Sequence, residues 1–344
     1  MPSIPTFHFV PGLAVEHAIA ENRDQVADAV EMAYRLHDLG QTVNPDSYFL
    51  RFPDRPSSRI IALPAHLAGT EPVSGIKWIS SFPENRAHNL ARASAVLILN
   101  DAATGYPLAC LEASTISAVR TAASAALAAE HLSPNPFTGN LGVVGTGVIA
   151  RTTIDWLAHR GWNFEGIRLY DLDHTEADRF ATWLRDRHEV SARIEDRVED
   201  VVSGSSLILF TTTAGNPHLS DPALFRNAPT VLHLSLRDLS TDVILASQNI
   251  VDDVDHCLKA GTSLHLAEIA TGRRDFVAGT LVDVLEKRIE PDFTRPRIFS
   301  PFGLGVLDLA VGRFVFEEAK SSGSAIEVPG FFGNAAERWT VASQ

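Results

Sequence analysis

Four charged residues stand where the surrounding sequence is apolar. Lys77 lies between Ile76 and Trp78 in SGIKWISS, Arg51 interrupts YFLRF, Arg120 sits in the alanine-rich SAVRTAASAALAA, and Asp238 follows LHLSL. A buried ammonium is costly unless an anion meets it, so Lys77 raises the question of its counter-ion. Taken singly, each of these charges also fits a side chain that snorkels to solvent. Taken together, three cations and one carboxylate suit an amino acid, its carboxylate clamped by bidentate arginine and its amine meeting Asp238.

A second group reads as a phosphate cradle. Residues 141–150, LGVVGTGVIA, run from an apolar stretch into Gly145, Thr146, Gly147, Val148, Ile149 and Ala150, a G-x-G-x-x-A pattern. The first glycine permits a tight turn, the second lets backbone approach a pyrophosphate, and the alanine permits close helix packing, while the helix N-terminus attracts negative charge. Asp171 ends the next apolar stretch, 26 residues after Gly145, where a carboxylate accepts from a ribose 2′-hydroxyl and repels a 2′-phosphate. The expected cofactor is therefore NAD rather than NADP. Thr211, Thr212 and Thr213 end the apolar SLILFTTT and are expected near that cofactor, or are ordinary β-branched strand residues. His233 and Ser235 in LHLSL either line the nicotinamide pocket or are plain strand residues.

These groups need elements to hold them. Residues 22–39 place Val26, Val30, Ala33, Leu36 and Leu39 at helical spacing, with Gly40 as a stop. YFLRF, RIIALPAHL, VSGIKWISS and SAVLILND read as strands, with DAATGYP as a turn, so the first third is α+β with a mostly antiparallel sheet. From Ser114 to Leu132 alanine dominates, which predicts a helix that prolines 134 and 136 end. Strand and helix then alternate with short connections to about residue 290, the pattern of a parallel sheet with helices on its faces. GLGVLDLAVGRFVFEEAKSSG follows with helical spacing and is expected to return to the first domain. The fold class is α/β: a Rossmann NAD-binding domain over 134–299, and a discontinuous α+β substrate-binding and dimerisation domain over 1–133 and 300–344.

Composition narrows the class. In 344 residues, 45% are hydrophobic and 21% charged, without the unbroken apolar runs of a membrane span. The formal net charge of −13 disfavours nucleic acid and anionic lipid as partners, so an anionic substrate must be captured by local arginines and lysines. Two cysteines, Cys110 and Cys257, form no disulfide framework and fit a reducing cytoplasm. No lysine or arginine precedes Arg23, so the N-terminus lacks the basic region of a signal peptide and is expected to belong to the fold. No histidine pair or cysteine cluster has metal-ligand spacing, and no metal is expected. Asp252, Asp253, Asp255 and His256 fit a solvated strand end better than a cation site.

The order of GIKW, TGYPLA, SAVRTAASAALAA, VVGTGVIA, TTT, the strand ending in Asp238, and GLGVLDLA resembles the ornithine cyclodeaminase/mu-crystallin family over nearly the whole chain. That resemblance implies a homodimer, a Rossmann domain for nicotinamide, Arg51, Lys77 and Arg120 as holders of the substrate carboxylate, and Asp238 as catalytic acid/base. Within the family, RIIALPAHLAGTEPVSGIKWISSFPENRAHNLARASAVLILND and YPLACLEASTISAVRTAA look like the branch of dehydrogenases serving 2,3-diaminopropionate biosynthesis in siderophore and antibiotic pathways. The implied substrate is a secondary amine joining the α-nitrogen of glutamate to the β-carbon of an alanyl unit. Its three carboxylates need additional cations, for which Arg59 and Arg92 are candidates, or else surface arginines. Two departures count against a cyclodeaminase. Leu239-Ser240-Thr241-Asp242 replaces a Pro-Gly-Lys run, and FSPFG replaces the commoner Phe-Lys-Ser run. Ornithine cyclodeamination and imine-reductase or opine-type dehydrogenation remain the alternatives.

Overall fold

The computed structural model describes residues 5–333. The chain divides into two compact units, residues 1–117 with 305–344, and residues 118–304. These bounds differ from the expected ones by part of a helix and a loop. Most of helix Ser114–Leu132 and the FSPFG segment pack with the parallel sheet: Leu132 O accepts from Thr230 Oγ1 and Arg297 Nε, and Asp252 accepts from Gly303 N.

The first unit is built on a mixed sheet. Its order runs Ile326–Val328, Phe7–Val10, Pro107–Glu112, Ala93–Asp101, Val73–Ser81, Arg55–Leu67 and Thr42–Val43, with Tyr48–Phe52 also paired to Arg55–Leu67. All neighbours are antiparallel except Phe7–Val10 with Pro107–Glu112. Strand Arg55–Leu67 is longer than the expected RIIALPAHL. Its Pro64 pairs with Ile76 on one side and falls between the partners Tyr48–Phe52 and Thr42–Val43 on the other, where no donor is needed. Helix Gly305–Ser321 packs on one face of this sheet, with every residue from Gly305 to Gly312 buried. The approach is close because each surface carries a glycine at the contact, Gly312 on the helix and Gly75 on the sheet. A Cβ on Gly312 would lie 2.1 Å from Leu97 Cδ2, and one on Gly75 would lie 2.8 Å from Leu309 Cδ2. This closeness brings Asp308 against the sheet.

The second unit carries eight parallel strands in the order Ala192–Ile194, Asn163–Tyr170, Thr138–Val144, Leu207–Phe210, Thr230–His233, Arg297–Ser300, Gln248–Val251 and Val277–Thr280. The strands Leu207–Phe210, Thr230–His233 and Gln248–Val251 are buried on both faces, as helix-covered parallel strands must be. Chain order reverses on either side of Thr138–Val144, which creates the crevice where doubly wound folds take ligands. Gly145, Asp171, Thr211 and the segment 235–238 all follow the carboxyl ends of these strands. Helix Ser114–Leu132 forms as its alanine content dictates, and Glu112 accepts from the amides of Ser114 and Thr115 at its start. Among the described residues, no helix is long and apolar enough to cross a membrane.

Candidate active site

The glycine turn has the geometry its sequence requires. Gly145 has φ +88°, and a Cβ there would lie 2.9 Å from the backbone of Thr211, so only glycine fits without displacing the neighbouring strand end. Gly147 is different: a Cβ there meets nothing within 4 Å, and helix Val148–His159 starts immediately after it without a side-chain cap. Open space over uncapped N–H groups suits a pyrophosphate. Asp171 Oδ2 accepts from both the amide and the hydroxyl of Thr146 at 2.8 Å, and Oδ1 accepts from Asp173 N at 3.0 Å. The carboxylate thus fixes the turn and still retains acceptor capacity for a ribose hydroxyl. Val148 and Leu172 are 68% and 90% exposed beside this crevice, apolar surface that a bound base would cover. Ile149 lies in the first turn of the helix. The residues present therefore fit a dinucleotide.

Asp238 is fully buried and surrounded by donors. Thr212 Oγ1 donates to Oδ1 at 2.5 Å, and His218 Nε2 lies 3.1 Å from the same oxygen. Ser235 donates its hydroxyl to Oδ2, and His233 Nε2 lies 3.2 Å from it, with the other ring nitrogen 3.1 Å from Ser300 Oγ. Burial pushes the Asp238 carboxyl up, but the hydrogen bonds of His218, His233 and Ser235 outweigh it and hold the group well below the usual carboxylate range. Thr212 and Ser235, expected beside the cofactor, both direct their hydroxyls to this carboxylate. His233 Nε2 lies against both the carboxylate and the backbone amide of Asp238, which it meets at 3.2 Å. His218 escaped the sequence reading altogether, because it sits in the patternless loop AGNPHLS.

In the first unit, the counter-ion of Lys77 is within the chain. Its ammonium donates to Asp308 Oδ2 at 2.7 Å and to Ser117 Oγ at 3.1 Å, with the lysine 2% and the aspartate 0% exposed. Strand register places further cations on the same face of the sheet. Arg51 pairs with Arg59, Arg59 pairs with Ser81, and Arg92 Nη1 donates to Ser81 Oγ at 2.7 Å. Burial, then the charges of Arg59 and Arg86, lower the pKa of Arg92. Lys77 lies four residues from Ser81 along one strand, so its side chain is on that face at about 13 Å.

In the second unit, Arg120 packs on Gly303. That glycine has φ +95°, and a Cβ on it would lie 2.6 Å from Arg120 Nη1. Asp252 holds the loop in place by accepting from the amides of Phe302 and Gly303. The acidic run is thereby accounted for. Asp252 anchors this loop, Asp253 caps helix Val254–Cys257, and Asp255 pairs with Arg274. Among the described residues, no group of three or more His, Cys, Asp or Glu side chains is placed to hold a metal ion.

Comparisons with known proteins match this geometry. The chain is 28% identical to N-((2S)-2-amino-2-carboxyethyl)-L-glutamate dehydrogenase of Staphylococcus aureus over 319 residues, 89% of this chain and 93% of the relative. It is 28% identical to alanine dehydrogenase of Archaeoglobus fulgidus over 313 residues, 88% and 94% of the two chains. The structure of an archaeal alanine dehydrogenase dimer with bound NAD superposes with a TM-score of 0.84 at 25% identity, covering 94% of this chain and 99% of that one. The model of the ornithine cyclodeaminase/mu-crystallin family matches residues 12–323. A match that starts with helix Gly12–Glu21 and runs past helix Gly305–Ser321, crossing both units, makes this chain a member of the ornithine cyclodeaminase/mu-crystallin family.

Proposed function

We propose that the protein is an NAD-dependent oxidoreductase acting on a CH–NH bond, and that its substrate is N-(2-amino-2-carboxyethyl)-L-glutamate, cleaved to L-2,3-diaminopropionate and 2-oxoglutarate with release of NADH. The observation that carries the substrate is the row of Arg51, Arg59 and Arg92, with Arg86 in electrostatic reach. A polycarboxylate offers each guanidinium of this row a carboxylate to bind, as alanine, with one carboxylate, does not. The full-length similarity to the Staphylococcus aureus dehydrogenase supports the same reading.

Gly145, Thr146, Gly147, Val148 and Ile149 are assigned to the pyrophosphate and Asp171 to the ribose, and the nicotinamide held there supplies a hydride acceptor. Arg51, Lys77 and Arg120 are assigned to the carboxylate beside the oxidised carbon, and Arg59 and Arg92 to the two others. Bidentate guanidinium contacts fix a carboxylate in direction as well as position, which orients the α-hydrogen. Asp238, with the side chains paired to it, is assigned to the proton chemistry. Loss of hydride and proton from the CH–NH unit gives an imine, water adds to its carbon, and collapse breaks the C–N bond as the leaving nitrogen takes a proton back. Thr212 and Ser235 hold Asp238 in one orientation throughout. We also assign the protein to a reducing cytoplasm, supported by its two free cysteines, and to a homodimer, as the archaeal alanine dehydrogenase is.

Mixing enzyme, NAD and conjugate is expected to yield NADH and 2-oxoglutarate in equal amounts, read by absorbance at the nicotinamide band and by an enzymatic keto-acid assay. Ammonia from ornithine without net NADH would overturn this in favour of cyclodeamination. Arg59→Ala and Arg92→Ala are each expected to raise KM for the conjugate about tenfold, roughly 1.4 kcal/mol, with NADH affinity unchanged.

A further inference from the structure

Asp238 poses a difficulty as a proton carrier. An ionised carboxylate has about four acceptor sites, and four side chains already crowd its two oxygens: Thr212 and His218 on Oδ1, Ser235 and His233 on Oδ2. Asp238 is also 0% exposed, so a proton reaching it has no direct route to water. Oxidation of any CH–NH bond by a nicotinamide followed by imine hydrolysis releases one net proton. That proton must leave through a neighbour.

His218 has the required placement. It is 35% exposed, whereas His233 is 0% exposed. It is also fixed to Asp238 twice over. Its ring meets Oδ1, and its backbone amide donates to Asp238 O at 2.9 Å, joined by Leu219 N at 3.0 Å. Because a carboxylate only accepts, the ring meets Oδ1 through Nε2–H, which leaves the lone pair on Nδ1 to take a proton. A carboxylate holding one imidazole nitrogen so that the other acts as base is the arrangement of hydrolytic triads. The other charged groups facing His218 are Glu199, which sits within electrostatic reach and carries Arg197 as its partner, and His233 across Asp238.

We propose that His218 is the proton carrier of this site, paired to Asp238 through Nε2–H and exchanging the reaction's proton with water through Nδ1. In the forward direction Nδ1 takes the proton shed as water adds to the imine, the imidazolium is balanced by Asp238, and the proton returns to the leaving nitrogen. The net proton from the oxidation step departs to solvent over the exposed edge of the ring. This rests on the dehydrogenase reading above but not on which amine is oxidised.

The test compares wild type, His218→Gln and His218→Ala by NADH formation across pH, together with long-range ¹H–¹⁵N imidazole spectra that need no substrate. Glutamine keeps a donor toward Oδ1 and lacks the second nitrogen. Both variants are expected to lose about 10²-fold in kcat, with KM and NADH affinity within threefold. The acid limb of the kcat profile disappears, and added imidazole restores part of the rate of His218→Ala. The spectra show His218 as the Nε2–H tautomer. A His218→Gln enzyme within threefold of wild type and with an unchanged pH profile overturns the proposal, as does an Nδ1–H tautomer. If wild type oxidises L-alanine or another amine but not the conjugate, the substrate reading falls and the same variants judge His218 on that amine.

Discussion

Lys77 and Asp308 form a buried ion pair across 231 residues of sequence. Removing one member of such a pair strands the other charge in the interior and typically costs about 3–5 kcal/mol, whereas replacing both with apolar groups is often close to neutral. Lys77→Met is therefore expected to lower unfolding stability by about 3 kcal/mol in a urea titration, and Lys77→Met/Asp308→Leu to recover most of it. The recovered double variant separates the lysine's two roles. A KM for the conjugate raised about tenfold assigns Lys77 to the substrate carboxylate, and an unchanged KM assigns it to the fold alone. At this scale the sequence was legible where a charge broke an apolar pattern, as at Lys77, Arg120 and Asp238. It was silent about partners brought in by folding. Asp308 lies in a helix whose buried face includes it by packing rather than by polarity, and His218 lies in a loop without periodicity.

Among elements, helix Ser114–Leu132 and strand Val73–Ser81 were readable to their end residues, because alanine propensity and β-branched density decide them locally. The closure of the helix's far end was not readable. Arg297, 1% exposed, donates from Nε to Leu132 O and from Nη2 to Ala228 O, with Nη1 on Arg295 O. One guanidinium thereby gathers the last turn of the helix, a turn before strand Thr230–His233, and the entry to its own strand. Burial lowers its pKa to about 10, a cost that several carbonyl acceptors offset. A lysine donates from one nitrogen only and cannot reach all of these carbonyls at once. Arg297→Lys is expected to destabilise the protein by about 2 kcal/mol, read as a lower denaturant midpoint with unchanged slope.

For the whole molecule, the face of the mixed sheet opposite helix Gly305–Ser321 carries an apolar row. Tyr48, Ala62, Trp78 and Val96 are register partners across four strands, with Tyr48 73% and Trp78 40% exposed. Contiguous exposed apolar surface marks an association site, which supports the homodimer proposed above. Trp78→Glu is expected to halve the mass measured by light scattering from twice the chain mass, while a dimer that persists points to another face. The change from a mostly antiparallel sheet to a parallel one was legible in the strand–helix alternation that begins after the prolines at 134 and 136. The limits of the two units were not, since a helix and a loop joined the parallel sheet through contacts such as Leu132 with Thr230. The return of helix Gly305–Ser321 to the first unit has a consequence for biosynthesis. About 190 residues separate Ser117 from Gly305, and translation at roughly 5–20 residues per second needs about 10–40 s to cross them. Throughout that interval the nascent antiparallel sheet waits without its covering helix and Lys77 without Asp308, while the parallel unit completes itself as an insertion. The emerging first unit is therefore the part of this polypeptide with the greatest demand for chaperone protection on the ribosome.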